Sequence, residues 1–239
     1  MRSVRRFLWS CLAVSLIAAA SASAGLGLAT RRTAHTTAGT IPVVRCRTVS
    51  VPGPGSSLPA RLRVLGSPGT VAGLVAYTNT ELFLVGPARM SCSGVISPDG
   101  STKLLLWPRG KRLPQQDSDE DGITLLSAPA CVGCQAEYAC PFFAAFARRL
   151  GFPCTTGVPS REKVTRPDPH LVLFRDPRGV AGDGWPSGGP DPANGTVLIQ
   201  GSLKPGPHER SVYRSTCTLP AIDDPICTVS LNDTIARYG

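Results

Sequence analysis

The residues best placed to do chemistry lie in one stretch, Phe174-Arg-Asp-Pro-Arg-Gly-Val-Ala-Gly-Asp-Gly-Trp-Pro-Ser-Gly-Gly-Pro-Asp-Pro-Ala-Asn-Gly195. Its glycines allow backbone conformations that bring N–H groups to a surface, and Trp185 offers an apolar plate. Asp176, Asp183 and Asn194 add polar groups, so these four side chains are the expected binding set. A long segment without secondary structure inside a domain is commonly functional. The plainer alternative is an Ω-loop that covers a sheet end.

A second chemistry is nucleophilic. Ser187-Gly188-Gly189-Pro190 is similar to the nucleophile segment of chymotrypsin-like proteases, but those enzymes carry an acid directly before the serine, and here Pro186 stands there. A serine hydrolase also needs a base and a group that orients it. The chain offers Ser187 with His170 or His208 and with Asp183 or Asp176. His35, Asp121 and Ser187 keep the chymotrypsin order, yet no strand precedes His35. No complete set is legible, so whether the protein is an enzyme stays open at this point.

A third is metal binding. Asp117-Ser-Asp119-Glu-Asp121-Gly122 has the alternating carboxylates and glycine of a calcium loop. An EF-hand would carry Glu at its twelfth position, where Ala128 stands. No cofactor is required, and calcium is a possible one at this site, against a solvated acidic turn as the plainer reading.

Cysteine supplies the fourth. Of nine Cys, Cys11 falls in an N-terminal apolar run, leaving Cys46, Cys92, Cys131, Cys134, Cys140, Cys154, Cys217 and Cys227. An even number in an exported chain points to disulfides. The crowded four, 131 to 154, are expected to pair among themselves, and the other four to tie N-terminal strands to C-terminal ones. Four cysteines can also hold zinc, and Cys131-Val-Gly-Cys134 between a strand and a helix is the context of a redox pair. An oxidising compartment argues against zinc, and Cys140 and Cys154 crowd the redox pair.

These residues need elements to hold them. The chain has 239 residues, 25 Gly, 23 Pro, 42% apolar and 17% charged, which excludes a disordered chain, a multi-span membrane protein and a helical bundle. Strands are expected at 43–51, 60–65, 71–77, 81–85, 94–96, 103–107, 123–126, 171–174, 196–201, 210–218 and 226–231. Their spacing, with Pro/Gly turns between them, is that of antiparallel sheets. One helix is expected over 141–150, with Phe142, Phe146 and Leu150 as its buried stripe and Gly151 as its stop. The fold class is α+β: strand-rich antiparallel sheets with one short disulfide-stapled helix and long Gly/Pro-rich loops.

Residues 1–24 run from Arg2, Arg5 and Arg6 through Phe7–Ala20 to Ala22 and Ala24, the order of a secretory signal peptide. The apolar run is short of a membrane span. Residues 25–41 then read as a flexible leader and 42–239 as one extracytoplasmic domain, with no membrane span in the mature chain. The formal charge of the whole chain is +9, and three of the arginines lie in the signal. The other cations are scattered, which argues against nucleic acid. Arg45 and Arg47, and Arg61 and Arg63, alternate at strand period and form the candidate basic face. Asn194-Gly-Thr196 and Asn232-Asp-Thr234 match the N-glycosylation pattern, to which no function is attached.

The series Cys131-x-Gly133-Cys134, Ala139-Cys140, Pro153-Cys154, Pro159-x-x-Glu162, Phe174-x-Asp176-Pro177-x-Gly179-Val180-x-Gly182-x-Gly184, Pro186-Ser187-Gly188-Gly189 and Ala193-Asn194-Gly195 resembles a family of secreted, cysteine-containing proteins of unknown function from high-GC Gram-positive bacteria. The resemblance covers about residues 90–200. It implies export and an extracytoplasmic setting, and no activity. The expectation is a secreted, monomeric, non-catalytic binding or envelope-associated protein, with an anionic cell-wall polymer or an envelope protein as partner. The alternative is a serine hydrolase using Ser187.

Overall fold

A computed structural model describes residues 37–50, 57–112, 121–155, 157–184, 186, 188–201, 203 and 210–239. The expected signal peptide lies outside the described residues, as does the expected leader up to residue 36. The first half contains β1 (Thr37–Arg45), β2 (Arg47–Ser50), β3 (Arg61–Gly66), α1 (Pro68–Val71), β4 (Leu74–Thr78), β5 (Phe83–Pro87), β6 (Met90–Ile96) and β7 (Thr102–Pro108). The second contains β8 (Ile123–Ala128), α2 (Val132–Ala139), α3 (Ala144–Arg149), β9 (Lys163–Asp168), β10 (Leu171–Asp176), β11 (Ala193–Gln200), β12 (Ser211–Cys217) and α4 (Asp224–Tyr238). β1 thus begins inside the stretch read as leader.

The strand-rich α+β class is as expected. Strands form a four-stranded sheet in the order β3-β1-β4-β5 and an eight-stranded sheet in the order β2-β6-β7-β8-β12-β11-β10-β9. All pairings are antiparallel except β1 with β4 and β2 with β6. The segment read as one strand from Val43 to Val51 breaks at Cys46, where the chain leaves the small sheet for the large one. Cys46 is buried, donates its N–H to Thr78 O at 2.8 Å and is bonded to Cys92 of β6.

The eight-stranded sheet is covered on both faces. On one, Phe142, Phe143 and Phe146 around α2 and α3 pack against Val172, Phe174, Val197, Ile199 and Val212. On the other, Tyr77 and Leu84 of the small sheet meet Leu104, Leu106, Ile123 and Leu125, with Tyr238 of α4 against the same cluster. α4 also joins the small sheet, where Val229 packs with Ile41, Leu62, Val64 and Val85. Burying one such side chain contributes roughly 1.5–3 kcal/mol, so these three clusters supply the folding drive. Among the described residues no helix is long and apolar enough to cross a membrane.

Three expectations are corrected. Ile226–Leu231, rich in β-branched residues, lies inside the 15-residue helix α4. Asp224 and Pro225 open that helix, and the buried Cys227, Ser230, Leu231 and Thr234 recur at three- and four-residue spacing, so burial of one helical face overrides strand propensity. The cysteine pairing is local throughout: Cys131–Cys134 and Cys140–Cys154 as expected within the cluster, but Cys46–Cys92 and Cys217–Cys227 in place of ties between the two ends. Cys217 ends β12 and Cys227 sits in the first turn of α4, ten residues on, so proximity along the chain decides their partner. The expected helix over 141–150 is shorter, with α2 preceding it; Arg148 and Arg149 occupy its last turn and Gly151 (φ 85°) ends it.

The four bridges close loops of very different length, with sequence separations of 46, 14, 10 and 3. Replacing both cysteines of the Cys46–Cys92 bridge by serine is expected to cost about 4 kcal/mol by loop-closure entropy, against less than about 2 kcal/mol for the Cys131–Cys134 pair. Urea unfolding of the two double variants checks the order.

Candidate functional site

The Gly-rich loop, 177–192, is the connection of the β10–β11 hairpin, and its base is closed by the pairing of Asp176 with Ala193. Gly179 N–H donates to Gly189 O at 2.9 Å, and Val180 N–H to Pro177 O at 3.0 Å. Gly179 and Gly188 have φ of 69° and 81°, a conformation that favours glycine. Val180 is buried. The segment is thus a folded lobe.

Asp176 and Asp183 point inward. Asp176 is fully buried at the end of β10, and its Oδ2 accepts the Gly184 N–H at 2.6 Å. Glu162, buried in the turn before β9, accepts the Asp183 N–H on Oε2 at 2.8 Å. Glu162 and Asp176 are hydrogen-bonded to each other. Burial first, and the bond to Asp176 next, push the Glu162 pKa up to about 8. At neutral pH Glu162 therefore keeps its proton and donates it to Asp176.

Asp183 is the third acid. Its Oδ1 lies 2.8 Å from Nη2 of Arg214, which also donates to Asp183 O at 3.0 Å, while Nη1 of the same guanidinium donates to Cys140 O at 3.1 Å. Burial raises the Asp183 pKa and the Arg214 charge opposes that shift. Arg214 also lies over the Phe174 ring, 5.9 Å from its centroid. One cation in β12 thereby holds the loop and the C-terminal end of α2 together.

The glycines fit this packing. A Cβ on Gly182 would stand 2.0 Å from Asp176 Oδ1, and one on Gly184 would stand 2.4 Å from Ala193 Cβ. Only a backbone without side chains can lie this close to the buried carboxyls.

The structure separates the sequence-derived candidates. Asp176 and Asp183 join in the buried frame. Asn194 lies outside it, in a half-exposed network where its Oδ1 accepts from Arg175 at 2.9 Å and its Nδ2 donates to Asp224 Oδ1 at 3.2 Å, with Arg175 and Asp224 paired at 3.0 Å. His170 sits in the β9–β10 turn, where Asp168 Oδ1 accepts its backbone N–H at 2.8 Å and lies 3.3 Å from its Nδ1. It is at the opposite end of β10 from the loop, about 20 Å along the strand from Asp176. Trp185, Ser187 and His208 lie outside the described residues.

The cation candidates divide similarly. Asp117 and Asp119 lie outside the described residues, and Asp121 is half-buried, its carboxyl pushed up by burial and by the Asp191 charge, against Lys111. The zinc reading of the four clustered cysteines meets two disulfides, whose sulfurs offer no thiolate. Asp99, Cys131 and Cys134 bring their ligand atoms within 4.8 Å of one another, but the two sulfurs are bonded together.

Glu162 and Arg214 were absent from the sequence-derived site. The signals were Pro159-x-x-Glu162 in the family resemblance and a lone arginine in the middle of an otherwise uncharged strand, 211–217. Comparison of the chain with protein-family models, with curated proteins and with solved structures finds no match. What the arrangement does chemically follows from its geometry: a protonated carboxyl, a carboxylate and an ion pair satisfy one another and the loop backbone. It is a frame that ties the loop backbone at Asp183 and Gly184 to the turn before β9, to β10 and to β12.

Two expectations follow. Because Glu162 holds its proton up to about pH 8 when folded and loses it near 4.5 when unfolded, stability from this group is full below about pH 4.5 and falls as pH rises to about 8. Glu162→Gln keeps both hydrogen bonds without the charge, so it should flatten that decline and exceed the native chain in stability at pH 8; denaturant unfolding at pH 5 and pH 8 reads both. Gly182→Ala drives a methyl into the Asp176 carboxyl and should cost about 1–3 kcal/mol, measured as a lower unfolding midpoint with an unchanged slope.

Proposed function

We propose that this chain is a secreted, extracytoplasmic binding domain of the cell envelope, without a catalytic step of its own at the Gly-rich loop. One observation carries the reading: Asp176 and Asp183 are consumed inside the polar frame at the loop, whereas the arginines of the first strands are left outside. Arg61 and Arg63 lie on the exposed side of β3, whose residues alternate between solvent and core, and Arg45 and Arg47 are exposed on either side of the buried Cys46. Arg61 donates to Thr40 O and Oγ1, which holds it against β1, and among the described residues none of the four arginines is in an ion pair. A rigid lobe and a cationic strand face suit a polyanion, whose charges an arginine fork engages without deep burial.

Four disulfides support the extracytoplasmic setting, since such bonds persist outside the reducing cytosol. The order of residues 1–24 adds the export signal, and the resemblance to secreted proteins of high-GC Gram-positive bacteria agrees with it. The partner of choice is an anionic cell-wall polymer, and the domain acts as a monomer. Among the described residues the serine-hydrolase alternative gains no support, because Asp183 is paired with Arg214 and His170 belongs to a distant turn; Ser187 and His208 lie outside them.

Sedimentation with purified, anionic cell-wall material tests the proposal. Arg61→Glu with Arg63→Glu should lower the bound fraction at least tenfold and reduce its salt dependence, with the melting temperature kept. Unchanged sedimentation of that folded variant would remove the polyanion reading, and labelling of the native chain by a fluorophosphonate at Ser187 would replace it with the hydrolase.

A further inference from the structure

The Cys131–Cys134 bond differs from the other three. It joins residues three apart, so it connects no distant segments and constrains the unfolded chain least. Cys131 and Cys134 are both partly open to solvent, as are Cys140 and Cys154, whereas Cys46, Cys217 and Cys227 are buried in the core; short span together with an open position is what sets the Cys131–Cys134 bond apart. The pair follows β8 directly and starts α2, which is the strand-to-helix context of a redox site. Cys140 and Cys154, which in sequence crowd it, bond to each other.

The surroundings treat the two sulfurs differently. Cys131 caps α2, and its Sγ accepts the Cys134 N–H at 3.1 Å. A thiolate there faces the positive end of the helix and an N–H donor, both of which stabilise it. Cys134 Sγ lies 3.9 Å from Asp99 Oδ2. Asp99 is fixed by Ser101, whose N–H and hydroxyl both donate to Oδ1, at 2.9 and 2.6 Å, and these bonds lower its pKa. A carboxylate beside Cys134 disfavours a second negative charge, so on reduction the proton resides on Cys134. Around the pair, Val132 is 44% exposed and Phe152 49% exposed, and the Phe152 ring comes within 3.8 Å of where a Gly133 Cβ would stand. Large apolar groups this open beside a disulfide form a platform for an unfolded or extended chain.

We propose that Cys131–Cys134 is a redox-active disulfide that oxidises dithiols of other exported polypeptides. A partner thiolate attacks Cys131 Sγ, the Cys131–Cys134 bond breaks, and the departing Cys134 sulfur takes a proton beside Asp99. The partner's second thiolate then attacks the partner sulfur of the mixed disulfide, and Cys131 leaves as the thiolate at the helix start. The partner loses two electrons and two protons and gains one disulfide; Cys131–Cys134 gains the two electrons and one proton, and the other proton goes to solvent. A small-molecule disulfide re-oxidises the pair, taking the two electrons back out as two thiols.

The full chain is tested in glutathione buffers of graded ratio, with alkylation and mass spectrometry of each cysteine. Cys131 and Cys134 should open at a ratio that leaves the other six closed, with the melting temperature shifted by no more than a few degrees. In Cys134→Ser, the thiolate absorbance of Cys131 should titrate at least one pH unit below the ordinary thiol value of about 8.5, and Asp99→Asn in Cys131→Ser should lower the titration of Cys134. Oxidation of a reduced dithiol peptide with apolar flanks should slow at least fivefold in Phe152→Ser, while oxidation of dithiothreitol stays the same. Opening only together with the other bridges, or a Cys131 thiol at or above its ordinary value, would overturn the redox site. Equal slowing of both substrates in Phe152→Ser would overturn the polypeptide as partner.

Discussion

A carboxyl group taken out of water must find a proton, a donor or a cation, and the second half of this fold is arranged around three carboxyls that each find one. Glu162 keeps a proton, Asp176 accepts hydrogen bonds from Glu162 and from the Gly184 N–H, and Asp183 faces Arg214. These solutions are linked, because Glu162 also holds the Asp183 N–H and Arg214 also holds the α2 terminus through Cys140 O. The turn before β9, the end of β10, the middle of β12 and the end of α2 are therefore fixed by one polar set. Glycine at 182 and 184 is the sequence consequence, since any side chain there would occupy the space of a carboxyl or of Ala193.

Covalent sulfur meets a different cost. Ordering a residue costs about 1–2 kcal/mol of backbone entropy, and a chain with 25 Gly and 23 Pro has long connections to order without helical hydrogen bonds to offset it. The Cys46–Cys92 bond acts where the chain passes from one sheet to the other, the point at which a slip would separate the two. Cys217–Cys227 acts where β12 hands over to α4, the helix that packs on both sheets. Both of these bridges sit at a change of layer. The shortest one does not.

Much of this was legible along the chain. Ten of the segments read as strands contain a strand, because two-residue alternation with Pro/Gly breaks is a local signal that tertiary contacts did not override. The C-terminal helix was not, since Ile226, Thr228 and Val229 favour strands locally and only the two hydrophobic clusters on either side of α4 make a helix the better use of that face. The edge strand Lys163–Asp168 was also missed: it is mostly exposed and carries Pro167, so it has neither an apolar alternation nor a full set of donors to announce it. In the site, Asp176 and Asp183 were found by composition, but their inward direction depends on Glu162 and Arg214, which come from other elements. A carboxyl's partner across 14 or 31 residues of chain leaves no pattern in a single sequence.

The register of the large sheet places its two chemically distinctive regions at opposite edges. Ala128 pairs with Val212 and Leu171 with Leu198, so the end of β8, the start of α2 and the His170 turn share one edge. Cys217 pairs with Ile123 and Asp176 with Ala193, so the Gly-rich loop, the Asp121 turn and the start of α4 share the other. Loops at sheet ends carry function because the strands beneath hold them rigid while leaving their composition free. Here the two edges are provisioned differently: one has the inward Asp176 and Asp183 and the Cys217–Cys227 bridge into α4, which make a fixed surface, and the other has a partly open sulfur pair with little of the fold depending on it. A bond that can open without loosening the core belongs at the second edge, and a surface that must keep its shape belongs at the first.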